Sequence, residues 1–291
     1  RGSSVYQQTL NLTISEKQKL RRLLEENYLP KNRVYRYNFF YDNCTTRARD
    51  IIEKCIEGKV VYSEGKERLS FRDIVHQYTK GHEWDELGID MCLGSEADNP
   101  IDTRKQMFAP FYMLEAAKKA TIVVGDSVRP LILHEKKVVD VEPEDVREGF
   151  PLSPMVCVFI LIGVTCFVGW LQFKIRKIIW IWDLLLFGVQ GLAGCVITFL
   201  VFFSTHPTVG SNWLILLLNP IPLIYLPVMV YRAIKGKKDY YHTINIVCLT
   251  SFMMIMPFIQ QKFNVTVLPL ALCLLICSAN HVLLYYRQNN K

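Results

Sequence analysis

Five long apolar runs in the second half of the chain constrain its fold more than any other feature. They lie near Leu152–Gln172, Trp182–Phe203, Trp213–Tyr231, Thr243–Ile259 and Thr266–Tyr286. Each is close to the roughly 20 apolar residues with which an α-helix crosses the hydrocarbon core of a bilayer. A helix also satisfies its own backbone polar groups there, where water is absent. The sequence therefore predicts an all-α domain of five transmembrane helices, with the lipid bilayer as its partner.

Basic residues in the connections indicate how these spans are oriented. Nine of the ten Lys and Arg residues after residue 150 lie in the first and third connections and the C-terminal tail; the tenth is Lys262, in the fourth connection. Cytoplasmic loops are enriched in Lys and Arg. We therefore expect a cytoplasmic C-terminus, with residues 1–150 and the loop 204–212 on the other side. Because the net charge of +7 comes from residues that flank apolar runs, it does not indicate nucleic acid as a partner.

The residues before the spans have the composition of a water-soluble domain, with 25 of the 27 acidic residues of the chain. We predict this domain over residues 1–141, an acidic linker over 142–151 and the membrane domain over 152–291. The chain starts at Arg1 with neither an initiator Met nor a signal sequence, so we interpret it as a fragment or a processed product.

Local patterns predict both helices and strands in the soluble domain. Thr13 and Glu16 have capping-box spacing, which predicts a helix to about Asn27. The aromatic, β-prone residues Val34–Phe40 indicate a strand. A helical pattern then runs from residue 45 to about residue 57, and a β-like stretch covers residues 130–141. Leu93–Asp98, together with the preceding residues 88–90, is expected to form polar turns.

Cys44 stands between the predicted strand and the second predicted helix. Asp42 and Asn43 are both candidates for the N-cap of that helix. Unpaired N–H groups and the positive end of the helix dipole favour a thiolate, which is the nucleophilic form of Cys. A strand, a short turn, a Cys and a helix are the papain-type arrangement of a catalytic thiol. The alternative is that Cys44 is a small buried residue at the start of a helix.

The helical pattern predicts which side of that helix is buried. At 100° per residue, the side chains within about 80° of Cys44 are Ala48, Ile51, Ile52 and Cys55. Cys44 is thus expected at the head of the buried stripe. A Cys44–Cys55 disulfide is excluded, because eleven residues of helix span roughly 16 Å. Pairing of Cys55 with Cys92 stays open, although core packing is the preferred interpretation of Cys55. No His has a spacing to Cys44 that identifies a base, and His76 is expected on a solvated face.

The membrane half contains polar and helix-breaking residues at positions of interest. Asn219–Pro222 and Pro227 interrupt the third span, which indicates either a broken helix that lines a cavity or an ordinary kink. His206 lies at the outer end of the second span, either in a functional role or as an interfacial polar residue. Close helix packing is the preferred interpretation of three small residues in the second span, Gly188, Gly191 and Gly194.

The segment Tyr37–Ile52, with the sequence YNFFYDNCTTRARDII, closely resembles the signature of the Lnb family, the bacterial lipoprotein N-acyltransferases. Further matches extend the resemblance over nearly the whole chain: Arg1–Thr13, Phe71–Asp73, Gly88–Asp90, Gly94, Asp98, Met107–Pro110, Thr205–Pro207, Asn212–Trp213 and Asn219–Pro220.

The resemblance implies a fold and a location. The fold would be an α+β papain-like soluble domain, permuted and here N-terminally incomplete, followed by the five-helix membrane domain. The soluble domain would face the periplasm from the bacterial inner membrane. In such a permuted domain the catalytic His would lie on a strand before the Cys, upstream of Arg1, as would a signal sequence.

The resemblance also implies a reaction. A phospholipid would donate a fatty acyl chain to Cys44, and the N-terminal amine of a diacylated lipoprotein would then take it from the thioester. Arg47 would lie near the nucleophile and hold a phosphate or carboxylate, unless it pairs with Asp50. The backbone N–H of Cys44 would belong to an oxyanion hole. Other residues expected to bind or orient substrate are Asn43, His206, Asn212 and Asn219. Neither a cofactor nor a metal is expected.

Two other function classes stay open at this point. A membrane-anchored periplasmic thiol peptidase or amidase would use the same Cys44 but give the second attack to water, and a polar open groove would favour it. A non-enzymatic envelope assembly protein would be favoured by a buried Cys44 without a His within reach. A lipid-facing cleft and the five-span anchor favour the acyltransferase.

Overall fold

The computed structural model of the chain describes residues 4–65, 68–141 and 150–289. Most of the predicted linker, residues 142–149, lies outside the described residues. The chain divides into two compact units. The first, here the polar unit, is Arg1–Ile74 with Pro100–Glu148; the second, here the membrane unit, is Val75–Asn99 with Gly149–Lys291. The segment Val75–Asn99 therefore groups with the apolar helices.

The described residues form helices and strands in the following order along the chain. The α-helices are α1 Ile14–Tyr28, α2 Cys44–Cys55, α3 Phe71–Thr79, α4 Glu83–Cys92, α5 Thr103–Gln106, α6 Pro110–Lys119, α7 Pro154–Ile175, α8 Trp180–Phe203, α9 Pro207–Gly210, α10 Ile221–Ile234, α11 Tyr240–Ile255 and α12 Val267–Asn289. The strands are β1 Val5–Leu10, β2 Lys59–Val61, β3 Thr121–Val124, β4 Ser127–Pro130 and β5 Ile132–Val139. Short 3-10 helices are Ser95–Asp98, Trp213–Leu216 and Met256–Phe258.

Two small antiparallel sheets support the polar unit. β1 pairs with β5, with Thr9 opposite His134, and β3 lies between β2 and β4. The core beneath them is small and includes fully buried Cys55, Ile122 and Leu131. The α+β character expected from the sequence is confirmed, as are the β-like stretch after residue 130 and the core position of Cys55.

A buried carboxylate ties α1 to the rest of the polar unit. The predicted capping box is present, since Thr13 and Glu16 bond to each other's backbone. Glu16 is fully buried and also accepts bonds from the N–H of Glu57 and from Arg129 in β4, at 2.6 and 2.7 Å. Burial by itself would raise the pKa of Glu16, but these donors outweigh it and lower the pKa below its usual value.

Two local predictions are wrong. Val34–Phe40 forms a loop rather than a strand, with an isolated bridge between Asn38 and Asp42. The side-chain oxygen of Asn38 accepts from the N–H groups of Phe40 and Tyr41, so the end of this segment forms local bonds instead of pairing with a strand. Residues 88–90, expected in a turn, lie within α4.

Five helical segments of the membrane unit are long and apolar enough to cross a membrane, as predicted. The third, Pro207–Ile234, is broken: a 3-10 turn at Trp213–Leu216 is followed by α10, which begins at Ile221 after Pro220. The break leaves backbone carbonyls without helical partners, and Gln190 of α8 donates to one of them, Leu217, at 2.8 Å.

Glycines in α8 let the third span approach closely, as the sequence predicts. A Cβ atom on Gly194 would lie 2.2 Å from the carbonyl carbon of Asn219, and one on Gly191 would lie 2.5 Å from Cβ of Leu223. Gly188 is different, because its nearest neighbour is a flexible methyl group of Leu226, at 3.7 Å.

We predict that Gly194→Ala destabilises the membrane unit by about 1–3 kcal/mol, because the new methyl group overlaps backbone that cannot turn away. Gly188→Ala is the matched control and should leave the thermal unfolding temperature of the full chain in detergent unchanged or slightly higher, since Ala favours helix over Gly. Equal effects of the two substitutions would contradict the close approach.

Candidate functional site

The N-terminus of α2 is built around the side chain of Asn43. Its oxygen accepts from the N–H groups of Thr45 and Thr46, both at 2.9 Å, which makes Asn43 rather than Asp42 the N-cap. Its amide nitrogen donates to the carbonyls of Phe39 at 2.9 Å and Phe108 at 2.8 Å. Asn43 is buried, so all four bonds are shielded from water. The side chain therefore orients the first turn of α2 rather than projecting toward a substrate.

Cys44 is the first residue of α2, and its side chain is exposed. The predicted buried stripe is wrong at its first turn, where Cys44 and Ala48 are exposed, and holds farther along the helix, where Cys55 is buried and Ile52 packs against the core. Thr46 and Arg49, which the prediction left outside the stripe, are buried as well. Arg49 can be buried because its guanidinium bonds to a carboxylate and to a backbone carbonyl. The Cys44 thiol is thus open to a reactant, and it lies 4.0 Å from Oγ1 of Thr45, at the limit of a hydrogen bond to sulfur. None of the described residues accepts a hydrogen bond from its backbone N–H.

Arg47 holds the loop that precedes the thiol. Its guanidinium binds both carboxylate oxygens of Asp42, at 2.7 and 2.9 Å, and lies 3.4 Å from the ring centroid of Tyr35. The bond to Asp42 raises the pKa of Arg47 above its usual value. The partner considered from the sequence, Asp50, instead pairs with Arg49 and Arg104.

Tyr37 is a neighbour of the thiol that the sequence reasoning did not single out. Burial first, and then the electrostatic interaction with Cys44, raise the pKa of Tyr37 above its usual value. About half of the Tyr37 side chain, 48%, remains exposed. The one feature of the sequence that draws attention to Tyr37 is its position as the first residue of the motif at residues 37–52.

Packed aromatic rings support the loop that precedes α2. Phe40, Phe71 and Phe108 are buried, with ring centroids 4.5 to 5.3 Å apart. Phe39 packs edge-on against Phe40 at 4.9 Å. Since the carbonyls of Phe39 and Phe108 are also the acceptors for Asn43, packing and hydrogen bonding position the same turn.

No His is hydrogen-bonded to Cys44 among the described residues. His134 is the His of the polar unit, and it lies on β5 opposite Thr9. The strand that precedes α2, β1, contains no His. The base therefore stays an expectation from the family resemblance.

The three candidate residues in the membrane unit have different surroundings. Asn212 is buried and bonded to the carbonyl of Met91, at 2.8 Å, and to Gln261, at 2.9 Å. The side chain of Asn219 accepts from the N–H of Ile221 at the start of α10. His206 is the N-cap residue of α9, but its imidazole makes no capping hydrogen bond to that helix.

A polar cluster in the membrane unit contains His76. Its Nε2 lies 2.8 Å from a carboxylate oxygen of buried Asp90, whose other oxygen accepts from Asn264 at 3.0 Å. The expectation that His76 is simply solvated is therefore wrong. His76, Glu86 and Asp90 place one ligand atom each within 4.8 Å of one another, a spacing at which they could hold a metal ion.

The spans also line an apolar, partly open cavity of about 300 Å³. Its lining includes Leu161, Trp182, Val189, Leu218 and Leu274. The volume is at the lower end of the range of ligand pockets, and the lining suits a hydrocarbon chain. Leu218 belongs to the broken third span, so the break does line a cavity.

Comparison with protein families finds two matches. The Lnb N-terminal periplasmic domain matches residues 1–80, which include Cys44 and its surrounding loop. The Lnb transmembrane domain matches residues 145–289, which include all five spans. No curated protein matches the chain, and no solved structure does.

We predict that Asn43→Ala lowers the free energy of unfolding of the polar unit by about 2–4 kcal/mol, the sum of a lost N-cap and of buried carbonyls left unpaired. Asn32→Ala is the matched control, since Asn32 makes one exposed bond to the carbonyl of Glu26. Proteolysis of the full chain over a urea series measures both, and an unchanged midpoint for Asn43→Ala would contradict the role given to its side chain.

Proposed function

Because this chain belongs to the Lnb family, and is an inner-membrane protein with a periplasmic N-terminal domain, we propose that it is a cysteine-dependent lipoprotein N-acyltransferase. It moves a fatty acyl chain from a phospholipid to the N-terminal amine of diacylated lipoproteins. The observation that supports this most directly is an exposed thiol, Cys44, at a capped helix N-terminus in a protein anchored by five spans.

The first step is transfer of the acyl chain to the thiol. The Cys44 thiolate attacks the ester carbonyl of the phospholipid, the C–O bond breaks, and the lysophospholipid leaves as an alcohol after taking a proton. The unpaired backbone N–H of Cys44 can bind the oxyanion of the tetrahedral intermediate. The product is a thioester on Cys44.

The second step is aminolysis of that thioester. The α-amine of the lipoprotein attacks the same carbonyl, the C–S bond breaks, and the thiol is regenerated while the amine loses a proton. Dividing the exchange in this way replaces one difficult transfer between an ester and an amine with two easier steps. The base that manages the protons is the His expected from the family resemblance.

Other residues take positioning roles in this proposal. Asn43 and Arg47 orient the turn that presents Cys44, Asn43 through the N-cap and Arg47 through Asp42. Asn212 and Asn219 keep the ends of the membrane segments in place. His206 is the membrane-unit candidate for substrate contact, since its imidazole does not cap α9. The apolar cavity between the spans suits an acyl chain of the donor lipid.

A second candidate function is favoured by the same exposed thiol. A periplasmic thiol peptidase or amidase would form the acyl-enzyme at Cys44 but release it to water. An assembly protein without enzymatic activity has less support, because the Cys44 side chain is exposed rather than buried. The products separate these functions: an N-acylated lipoprotein for the transferase, a cleaved peptide bond for the hydrolase and no new product for the assembly protein.

We predict that the C-terminus and the third connection are cytoplasmic. In spheroplasts that carry the chain with Cys44 and Cys92 replaced by Ala, a membrane-impermeant thiol reagent should label Thr205→Cys and not Lys237→Cys. Both positions are exposed, so accessibility differs only by the side of the membrane. Labelling of Lys237→Cys before the cells are lysed would contradict this orientation.

We predict that Cys44→Ala abolishes transfer and that Cys44→Ser lowers its rate by at least roughly 10³-fold, because a hydroxyl is a far weaker nucleophile than a thiolate. The assay supplies phospholipid and a diacylated lipopeptide and measures the acylated amine by mass spectrometry. Cys55→Ser is the matched control, since that thiol is buried at the far end of the same helix, and it should keep activity. Undiminished transfer by Cys44→Ala would refute the assignment.

A further inference from the structure

A pocket of about 360 Å³ lies at one end of the membrane helices, where the connection between α7 and α8 meets the ends of α10 and α12. Its lining has a basic part and an apolar part. Arg176 and Lys177 belong to the basic part, and Ile178, Trp180 and Ala233 belong to the apolar part. None of these residues is assigned to acyl transfer. The lining therefore suits a ligand that is anionic in one part and apolar in another.

The basic residues of the pocket have no carboxylate to neutralise them. After residue 150 the chain contains two acidic residues, Asp183 and Asp239. Both are buried, and neither lines the pocket. A carboxylate oxygen of Asp183 lies 3.3 Å from Nε2 of His281, and Asp239 accepts from the hydroxyl of Tyr225 at 3.1 Å. Since both carboxylates are engaged elsewhere, the positive charge of the pocket is left to attract an anion.

Most of the other basic residues at this end of the spans lie over aromatic rings, where the cation interacts with the face of the ring. Of the described basic residues at this end, Arg176, Lys177 and Lys235 have no such ring, and the first two line the pocket. The remaining five lie 4.9 to 6.0 Å from a ring centroid: Lys174, Arg232, Lys237, Lys238 and Arg287. The pocket thus contains two adjacent cations that are free to bind a ligand.

The backbone of Arg176 adopts a conformation that is unfavourable for an arginine. Arg176 is the C-cap residue of α7, with a φ of 54°, and is the one non-glycine residue with a positive φ among the described residues. Glycine is favoured at such a left-handed helix end because it has no Cβ atom. The carbonyl of Arg176 accepts from the side-chain amide of Gln288, which fixes the turn against the end of α12. A strained residue that lines a pocket suggests that its side chain is used there.

We propose that this pocket binds the head group of one anionic phospholipid, from the leaflet at this end of the spans. The phosphodiester binds to Arg176 and Lys177, which supply charge-assisted hydrogen bonds. The glycerol and the adjoining methylene groups pack against Ile178, Trp180 and Ala233. Tryptophan is enriched at this level of a bilayer, where its ring spans the polar and apolar regions. Basic pockets between membrane helices are a recurring type of site for anionic head groups.

Two simpler explanations of this pocket use only part of it. Basic residues orient membrane helices wherever they lie in a connection, and that role needs no pocket. A free anion such as inorganic phosphate would bind to the two cations but leave the apolar lining in contact with water. A phospholipid uses both parts of the lining. Because the lining comes from the α7–α8 connection, α10 and α12, the bound lipid also joins these helices and stabilises the membrane unit.

The test measures lipid binding to the full chain in detergent by native mass spectrometry. The chain should retain one phosphatidylglycerol under conditions that remove phosphatidylcholine with the same acyl chains. The double variant Arg176→Gly, Lys177→Gln should bind phosphatidylglycerol roughly 25-fold more weakly, about 5-fold for each basic residue. Lys174→Gln with Lys237→Gln is the matched control. It removes two charges at the same end, from side chains that lie over rings and do not line the pocket, and it should leave binding nearly unchanged.

The single variant Arg176→Gly separates lipid binding from folding, because glycine adopts this φ without strain. In detergent without added lipid it should unfold at the same temperature as the unmutated chain or at a higher one. Phosphatidylglycerol should raise the unfolding temperature of the unmutated chain and raise that of Arg176→Gly by less. If inorganic phosphate raises it as much as the lipid does, the pocket takes a free anion and the proposal is wrong. Equal retention of the two lipids by the unmutated chain, or undiminished binding of phosphatidylglycerol by the double variant, would also contradict it.

Discussion

The side chain of Asn43 is the interaction on which the position of the candidate nucleophile depends. It accepts two backbone N–H groups at the start of α2 and donates to two carbonyls, from the loop before α2 and the turn before α6. Three chain segments therefore meet at one buried amide. Loss of any of these bonds leaves a polar group buried without a partner, which costs more than the bond itself contributes. At this turn Cys44 is exposed while its neighbour Asn43 is buried.

The membrane unit obeys a related constraint, because each polar group inside it also needs a partner within the protein. Gln190 satisfies the carbonyl of Leu217 at the break in the third span. Asn212 and Gln261 bond to each other and to carbonyls of Met91 and Leu93. These bonds explain why the segment Val75–Asn99 groups with the spans although it is polar. Several buried atoms of this unit are exceptions to the rule among the described residues, including Oδ2 of Asp183 and Nε2 of His242 and of His281.

Local signals in the sequence were sufficient for much of this structure. Some of these signals come from residues close together in sequence, such as the capping box of α1 and the two N-cap candidates of α2, Asp42 and Asn43. Others come from composition over one helix length, as with the five spans and the α8 glycines. The family resemblance is confirmed by the two family matches. The role of Cys44 that it implies stays a prediction.

Contacts between residues far apart in sequence account for the error in α2 and for the polar cluster that the sequence did not indicate, whereas a local side chain accounts for the error at residues 34–40. The buried side of the first half of α2 was misplaced, because Arg49 is buried there through a bond to the distant carbonyl of Arg104. The loop at 34–40 has the composition of a strand but forms its own bonds through Asn38. Asp183, His242 and His281 each resemble an isolated polar residue in an apolar run, and only folding brings them together.

The central claim is that Cys44 carries the acyl chain between donor and acceptor, and intact-mass analysis of the full-length protein tests it most directly. With phospholipid but no lipoprotein, the account predicts an added mass of one fatty acyl chain, removable by neutral hydroxylamine and located on the peptide that contains Cys44. Addition of a diacylated lipopeptide should then discharge it onto the amine. An acyl chain on another residue, or transfer to the lipopeptide with no acyl-enzyme formed at Cys44, would contradict the account.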